Sequence, residues 1–172
     1  VPNNMDGTPG ITQPPIEPGG DFTYDFVLRD AGTYWYHPHV DSAAQVGFGL
    51  YGPIVVTDPA DPKEFGDELV LMLSDMSLYD NQLMERKEGG NFGDLFGREG
   101  DTLLVNGRVM PTLKVRQGKQ QRWRIINAAR SRYWNFSLRN NTFLRLGGDN
   151  GLAARTEPLT RNEQELLRSL PS

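Results

Sequence analysis

Gly32-Thr33-Tyr34-Trp35-Tyr36-His37-Pro38-His39, followed by Gly49-Leu50-Tyr51-Gly52-Pro53-Ile54-Val55-Val56, is the stretch on which the reading of this chain turns. The first half is crowded with aromatic residues and the second ends in a β-branched run, compositions that fit a pleated, half-buried surface. Thr33–His39 therefore reads as one strand, and Pro53–Thr57 as another that Asp58-Pro59 ends. Both histidines of the chain fall in the tripeptide His37-Pro38-His39. Residues i and i+2 of a strand share a face, so the two imidazoles project side by side, near enough to ligate one metal or two adjacent ones. Pro38 donates no backbone N–H, which places the segment at an edge or strand end where a site can open. Neutral imidazole suits copper, zinc, iron and nickel. Two ligands do not make a tight site, so others have to come from elsewhere. On spacing alone, a pair of surface or satisfied histidines is the commoner meaning of His-X-His.

Working outward, Phe22, Tyr24, Phe26 and Leu28 alternate with period two, the pattern of a half-buried strand, and Asp30-Ala31-Gly32 turns into the aromatic one. Residues 1–20, punctuated by proline and glycine, read as an ordered loop of successive turns. Residues 58–68 hold two prolines and five acids and are the best candidate for a domain linker. An apolar run follows at Leu69–Leu73. Residues 77–100 are polar and glycine-rich, expected as a long loop with a helical turn near Gln82–Lys87. Strands are expected at Leu103–Val105, Leu113–Val115, Arg122–Ile126, Tyr133–Leu138 and Phe143–Leu146, separated by Asn106-Gly107, Gln117-Gly118-Lys119 and Asn140-Asn141. Short strands at this spacing point to an antiparallel sandwich. The tail reads two ways. Thr160 and Glu163 fit a capping box, with Leu159, Leu166, Leu167 and Leu170 lining one helix face, while Glu165-Leu166-Leu167-Arg168 fits the start of a strand.

The chain's 172 residues suffice for one ordinary domain or two small ones. Its 19 glycines and 12 prolines are many for a helical bundle and too few for disorder, so an all-β fold with tight turns fits best. No run of eighteen apolar residues occurs, so no transmembrane helix is encoded. The absence of cysteine excludes disulfides, zinc thiolate sites, iron–sulfur clusters, cysteine nucleophiles and thiolate-bound blue copper within these residues. A net charge of −4 argues against a general nucleic-acid binder. Charge is uneven, however: Arg108 to Arg145 holds ten bases and no acid. With no repeated aromatic stacking pattern, this run reads as arginines on solvated strand faces that meet acids elsewhere in the fold.

The quoted segments resemble the signature of multicopper oxidases, in which G-T-x-W-Y-H-x-H precedes a G-L-x-G-x-x-V/I-V strand in the first cupredoxin domain. Gly32, Thr33, Trp35, Tyr36, His37, His39, Gly49, Leu50, Gly52, Val55 and Val56 carry the match. Val1-Pro2-Asn3-Asn4-Met5-Asp6-Gly7 is similar to the segment after that family's H-W-H-G motif. Leu104-Val105-Asn106-Gly107 and Arg122-Trp123-Arg124-Ile125-Ile126-Asn127 resemble its VNG and R-x-R-x-x-N strands of the second domain. The likeness covers nearly the whole chain.

The resemblance implies Greek-key cupredoxin-like β-sandwiches, both partial: 1–58 as the end of the first domain, 59–68 as linker and 69–172 as an incomplete second domain. It implies that His37 and His39 ligate the binuclear type 3 coppers of a trinuclear type 2/type 3 cluster, one histidine to each metal. Asp6 matches an acid placed near the cluster that relays protons to reduced oxygen; read from its neighbours alone, Asp6 supports an Asp-Gly turn. Trp35 and Tyr36 are expected to stiffen the ligand strand, and Trp123 and Trp134 to pack in the second domain. The chain is expected to be an internal fragment whose partner is the rest of the oxidase, or a second chain, supplying the missing copper ligands. The other partners implied are dioxygen and a small-molecule or metal-ion reductant, with no nucleic acid and no membrane span; family habit places such proteins in the periplasm or outside the cell. Two other readings stand beside this one, a copper-free cupredoxin-repeat structural or interaction protein and a copper nitrite reductase-like protein.

Overall fold

The structure, a computed structural model, describes residues 1–59, 67–79, 82–83, 93, 95–137, 141, 143–149 and 151–158. Its elements are β1 (Gly32–Tyr36), α1 (Ser42–Gly47), β2 (Gly52–Val56), β3 (Asp67–Met76), β4 (Leu78–Tyr79), β5 (Gln82–Leu83), β6 (Thr102–Val105), β7 (Gln121–Asn127), β8 (Leu144–Gly148) and β9 (Gly151–Pro158), with a 3₁₀ turn at Asn3–Met5.

The apolar run at Leu69–Leu73 shows no alternation, as a strand covered on both faces requires. It forms the middle of β3, the central strand of a sheet ordered β6-β3-β7, and Leu71 through Asp75 are buried without a break. β6 runs antiparallel to β3, with Leu73 opposite Val105, whereas β7 runs parallel to it, with Val70 opposite Arg124 and Met72 opposite Ile126. The wholly antiparallel sandwich expected from strand spacing is corrected here. A parallel neighbour needs a long crossover, and the chain between β3 and β7 is long enough to supply one.

β1 and β2 form a separate antiparallel pair with α1 between them, Gly32 opposite Val56 and Tyr36 opposite Gly52. A side chain at Gly52 would meet the Tyr36 ring, which lies across β2 at that point, so glycine lets the ring take this place. Trp35 and Tyr51 of this pair pack against Met72, Ile126 and Ala128, beside Val70, and so join the two sheets through one core. Because alternate residues share a face, Trp123 lies on the far side of β7 from Ile126. There it meets Phe136 and Phe143, with ring centroids 5.9 and 6.5 Å away.

Asn106 and Gly107 both adopt positive φ, 51° and 71°, the backbone of a tight hairpin turn that Asn-Gly favours. The Asn106 side chain also extends the ladder of β3: Met72 N–H donates to its Oδ1 at 2.8 Å and its Nδ2 donates to Val70 O at 2.9 Å. The third motif residue, Asn127, works similarly, since its Oδ1 accepts from Ala129 N–H and from Trp134 Nε1, both at 3.0 Å.

Several expectations fail. Phe22–Leu28 has no strand; Phe22 and Tyr24 pack on one another with centroids 4.8 Å apart, and no neighbouring backbone pairs with the segment among the described residues. Leu113–Val115 and the described part of Tyr133–Leu138 are likewise irregular, and neither joins a ladder among the described residues. Gln82–Leu83 pairs with Leu78–Tyr79 as a short hairpin instead of starting a helical turn. β9 was not foreseen, since Ala153-Ala154-Arg155 lacks β-branched residues. Residues 60–66 of the linker, 84–87 of the helical turn and the two-way tail at 159–172 lie outside the described residues.

Candidate metal centre

β1 ends at Tyr36, so the strand expected through His39 is shorter than its aromatic composition suggested. Tyr36 pairs with Gly52, the first residue of β2, and Pro38 has no N–H with which to continue a ladder. The two imidazoles nevertheless lie side by side. Their ring centroids are 5.0 Å apart with planes 25° from parallel, and Trp35 stacks on His37 at 4.6 Å and 32°. Trp35 in turn meets Tyr51 edge-on at 6.3 Å. The stack of alternate rings, not continued strand pairing, keeps the histidines together.

His37 is half-buried and His39 exposed. His37 Nδ1 lies 3.2 Å from Pro38 O. A carbonyl oxygen can only accept, so this contact is a hydrogen bond when Nδ1 carries the proton, which leaves Nε2 with a lone pair to offer a metal. A nitrogen lone pair lies in its ring plane. Two nearly parallel rings therefore aim at neighbouring positions instead of converging on one point. Neutral imidazoles so placed suit late first-row metals such as copper, zinc, iron or nickel. Among the described residues, no group of three or more His, Cys, Asp or Glu side chains converges on a metal-sized site.

Asp6 sits on the exposed surface just after the 3₁₀ turn, and its Oδ2 accepts a hydrogen bond from the Thr8 hydroxyl at 2.8 Å. It thus takes part in the local turn around Gly7, where φ is +82°. It completes no ligand set with the histidines among the described residues.

The segment bearing the histidines is gripped from β7 and the loop that follows it. Arg124, buried on β7, donates from Nη1 to Thr33 Oγ1 at 2.8 Å and pairs through Nε with Glu68 of β3. Arg130 Nη1 reaches Ala43 O, on α1, at 3.4 Å. Part of the expectation for the basic run is corrected by this: Arg122 and Arg124 point inward and are buried, while Ile125, the residue after Arg124, is 40% exposed. They do meet acids elsewhere, as Arg124–Glu68, Arg116–Asp67 and Arg132–Asp75 show. The signal for the inward pair was their i, i+2 spacing on a strand. It was masked because arginine is seldom buried without a partner, and the partners lie far away in sequence.

Two sequence profiles, each described as multicopper oxidase, match residues 1–61 and 67–147. The multicopper oxidase MmcO of Mycobacterium tuberculosis is 35% identical over 164 residues, covering 79% of this chain and 32% of that protein. A laccase of Trametes maxima is 34% identical over 142 residues, covering 79% of this chain and 28% of its own. The crystal structure of a multi-copper oxidase from Pseudomonas thermotolerans superimposes with a TM-score of 0.77 at 34% identity, over 91% of this chain and 38% of that one. The chain thus spans about a third of the length of the curated relatives it matches. The strand-dominated architecture and these neighbours establish a cupredoxin-like all-β fold. On this sequence and structural likeness, the chain belongs to the multicopper oxidase family.

Proposed function

We propose that this chain supplies two of the copper ligands, His37 and His39, to an oxidase that couples one-electron oxidation of phenols, aromatic amines or metal ions to the reduction of dioxygen to water. The observation that carries the reading is the side-by-side placement of the two imidazoles on the stack begun by Trp35. Copper at a type 2/type 3 trinuclear cluster, held jointly with ligands from the rest of the oxidase or a second chain, supplies the one-electron steps that dioxygen reduction needs. Within this chain, His37 presents Nε2 while its Nδ1–H is held by the Pro38 carbonyl, and His39 offers an in-plane lone pair one stacking distance away. Asp6 holds and passes protons toward reduced oxygen, its carboxylate oriented by Thr8.

The separate profile matches on either side of residues 62–66 support a division into the end of one cupredoxin domain (1–58), a linker (59–68) and an incomplete second domain (69–172). A periplasmic or secreted location belongs to the same proposal. The retained histidine pair weighs against the copper-free structural reading, which has no use for both imidazoles. The test is elemental analysis of the intact oxidase. His37→Ala and His39→Ala are each expected to lower bound copper per molecule, with circular dichroism unchanged. Full copper occupancy in both variants would refute the assignment.

A further inference from the structure

We infer that Arg124 is a positioning residue for the strand that leads into the histidines, holding β1 to the second sheet so that the His37 and His39 rings keep their place. This rests on the assignment of those rings as copper ligands. The geometry is that of one planar fork spanning three strands. Arg124 projects from β7, its Nε engages Glu68 on the neighbouring β3, and its Nη1 donates to Thr33 Oγ1 on β1 at 2.8 Å. The Arg124 side chain is 4% exposed, whereas that of Glu68 is 40% exposed. Removing so buried a cation from water is costly unless its donors are used, so the fork is bound to both partners. Only a rigid, multi-donor group reaches a carboxylate on one sheet and a hydroxyl on the other; a lysine offers one point charge on a flexible stem.

The effect reaches the imidazoles through β1 itself. Thr33 and Trp35 are two residues apart on the strand and face the same way. Thr33 is fastened by Arg124; Trp35 packs on Met72, Ile126 and Ala128 and stacks on His37, which stacks on His39. The ligand segment is therefore referenced to the β6-β3-β7 sheet at two successive inward positions. A ligand held this way loses less order when metal binds; groups hydrogen-bonded directly to metal ligands alter metal affinity by about 10–100-fold, and a tether one step further out acts at the low end of that range.

The test uses the intact copper-loaded oxidase with Thr33→Val, which keeps shape and removes the acceptor, and Arg124→Lys, which keeps the charge. Arg116→Ala, at an exposed ion pair with Asp67, serves as control. Both positioning variants are expected to lose copper to a chelator about tenfold faster, with KM for the reductant unchanged, and the control to behave as the parent. In copper-free protein, the same two variants are expected to show faster amide hydrogen exchange across β1, a readout that does not depend on metal. Exchange and copper retention equal to the parent in Thr33→Val overturn the proposal. Faster exchange in β1 together with copper binding that is indifferent to His37→Ala leaves the positioning contact standing and removes the ligand assignment beneath it.

Discussion

Asp6 and the histidine pair make different demands on their surroundings. The copper-ligand role proposed for His37 and His39 calls for fixed rings, which the Trp35 contact and the approach of His37 Nδ1 to Pro38 O serve. The proton relay proposed for Asp6 calls for access to water and a fixed carboxylate, and Asp6 has both: it is exposed and accepts the Thr8 hydroxyl. In the intact oxidase, Asp6→Asn is expected to slow dioxygen reduction by about 100-fold while copper content stays constant, because the amide cannot carry the proton. Steady-state oxygen consumption with metal analysis on the same sample checks this; parent-like turnover reduces Asp6 to a turn residue. Asn106 acts structurally. Its αL backbone and two side-chain bonds to β3 are all lost or strained in Asn106→Ala, which is expected to lower stability by about 2 kcal/mol in urea unfolding.

β3 is the element whose loss is felt by everything else, since it pairs with both β6 and β7 and carries the side chains that meet Trp35. Leu71 is 2% exposed at its centre, and Leu71→Ala is expected to cost about 3 kcal/mol, read as a lower denaturant midpoint with a constant slope. At the other end of the strand, the Asp75 carboxylate is buried. It accepts from Gly100 N–H at 2.7 Å and from Arg132 Nε at 2.9 Å, while Arg132 Nη2 donates to Gly100 O at 2.7 Å. This cluster ties the loop before β6 and the loop after β7 to one strand. Arg132→Ala leaves a buried carboxylate short of its cation and is expected to cost about 3–5 kcal/mol, more than Arg116→Ala at its exposed pair.

For the molecule as a whole, two sheets share one core through Trp35, Tyr51, Met72, Ile126 and Ala128, and substantial apolar surface remains on the outside: Ile11, Val27 and Tyr133 are each more than 70% exposed. The 172-residue chain prepared by itself is therefore expected to self-associate, seen as concentration-dependent elution in size exclusion; a compact, cooperative monomer would contradict this. Much of the core and of the side-by-side histidine pair could be read from residue order, because local patterns dictate them. Leu69–Leu73 runs apolar as a doubly covered strand must, Asn106-Gly107 is chemically suited to a tight turn, and His-Pro-His sets two imidazoles two residues apart. Partner choice could not be read in this way. Phe22–Leu28 has a strand's period without a neighbour to pair with, β7 lies parallel to β3 across a long connection, and Arg124 is buried because Glu68 and Thr33 converge on it from other strands. Periodicity along one segment is set by that segment's own side chains, whereas pairing, burial of charge and the anchoring of the histidines depend on free energies shared between distant segments, which only the folded arrangement brings together.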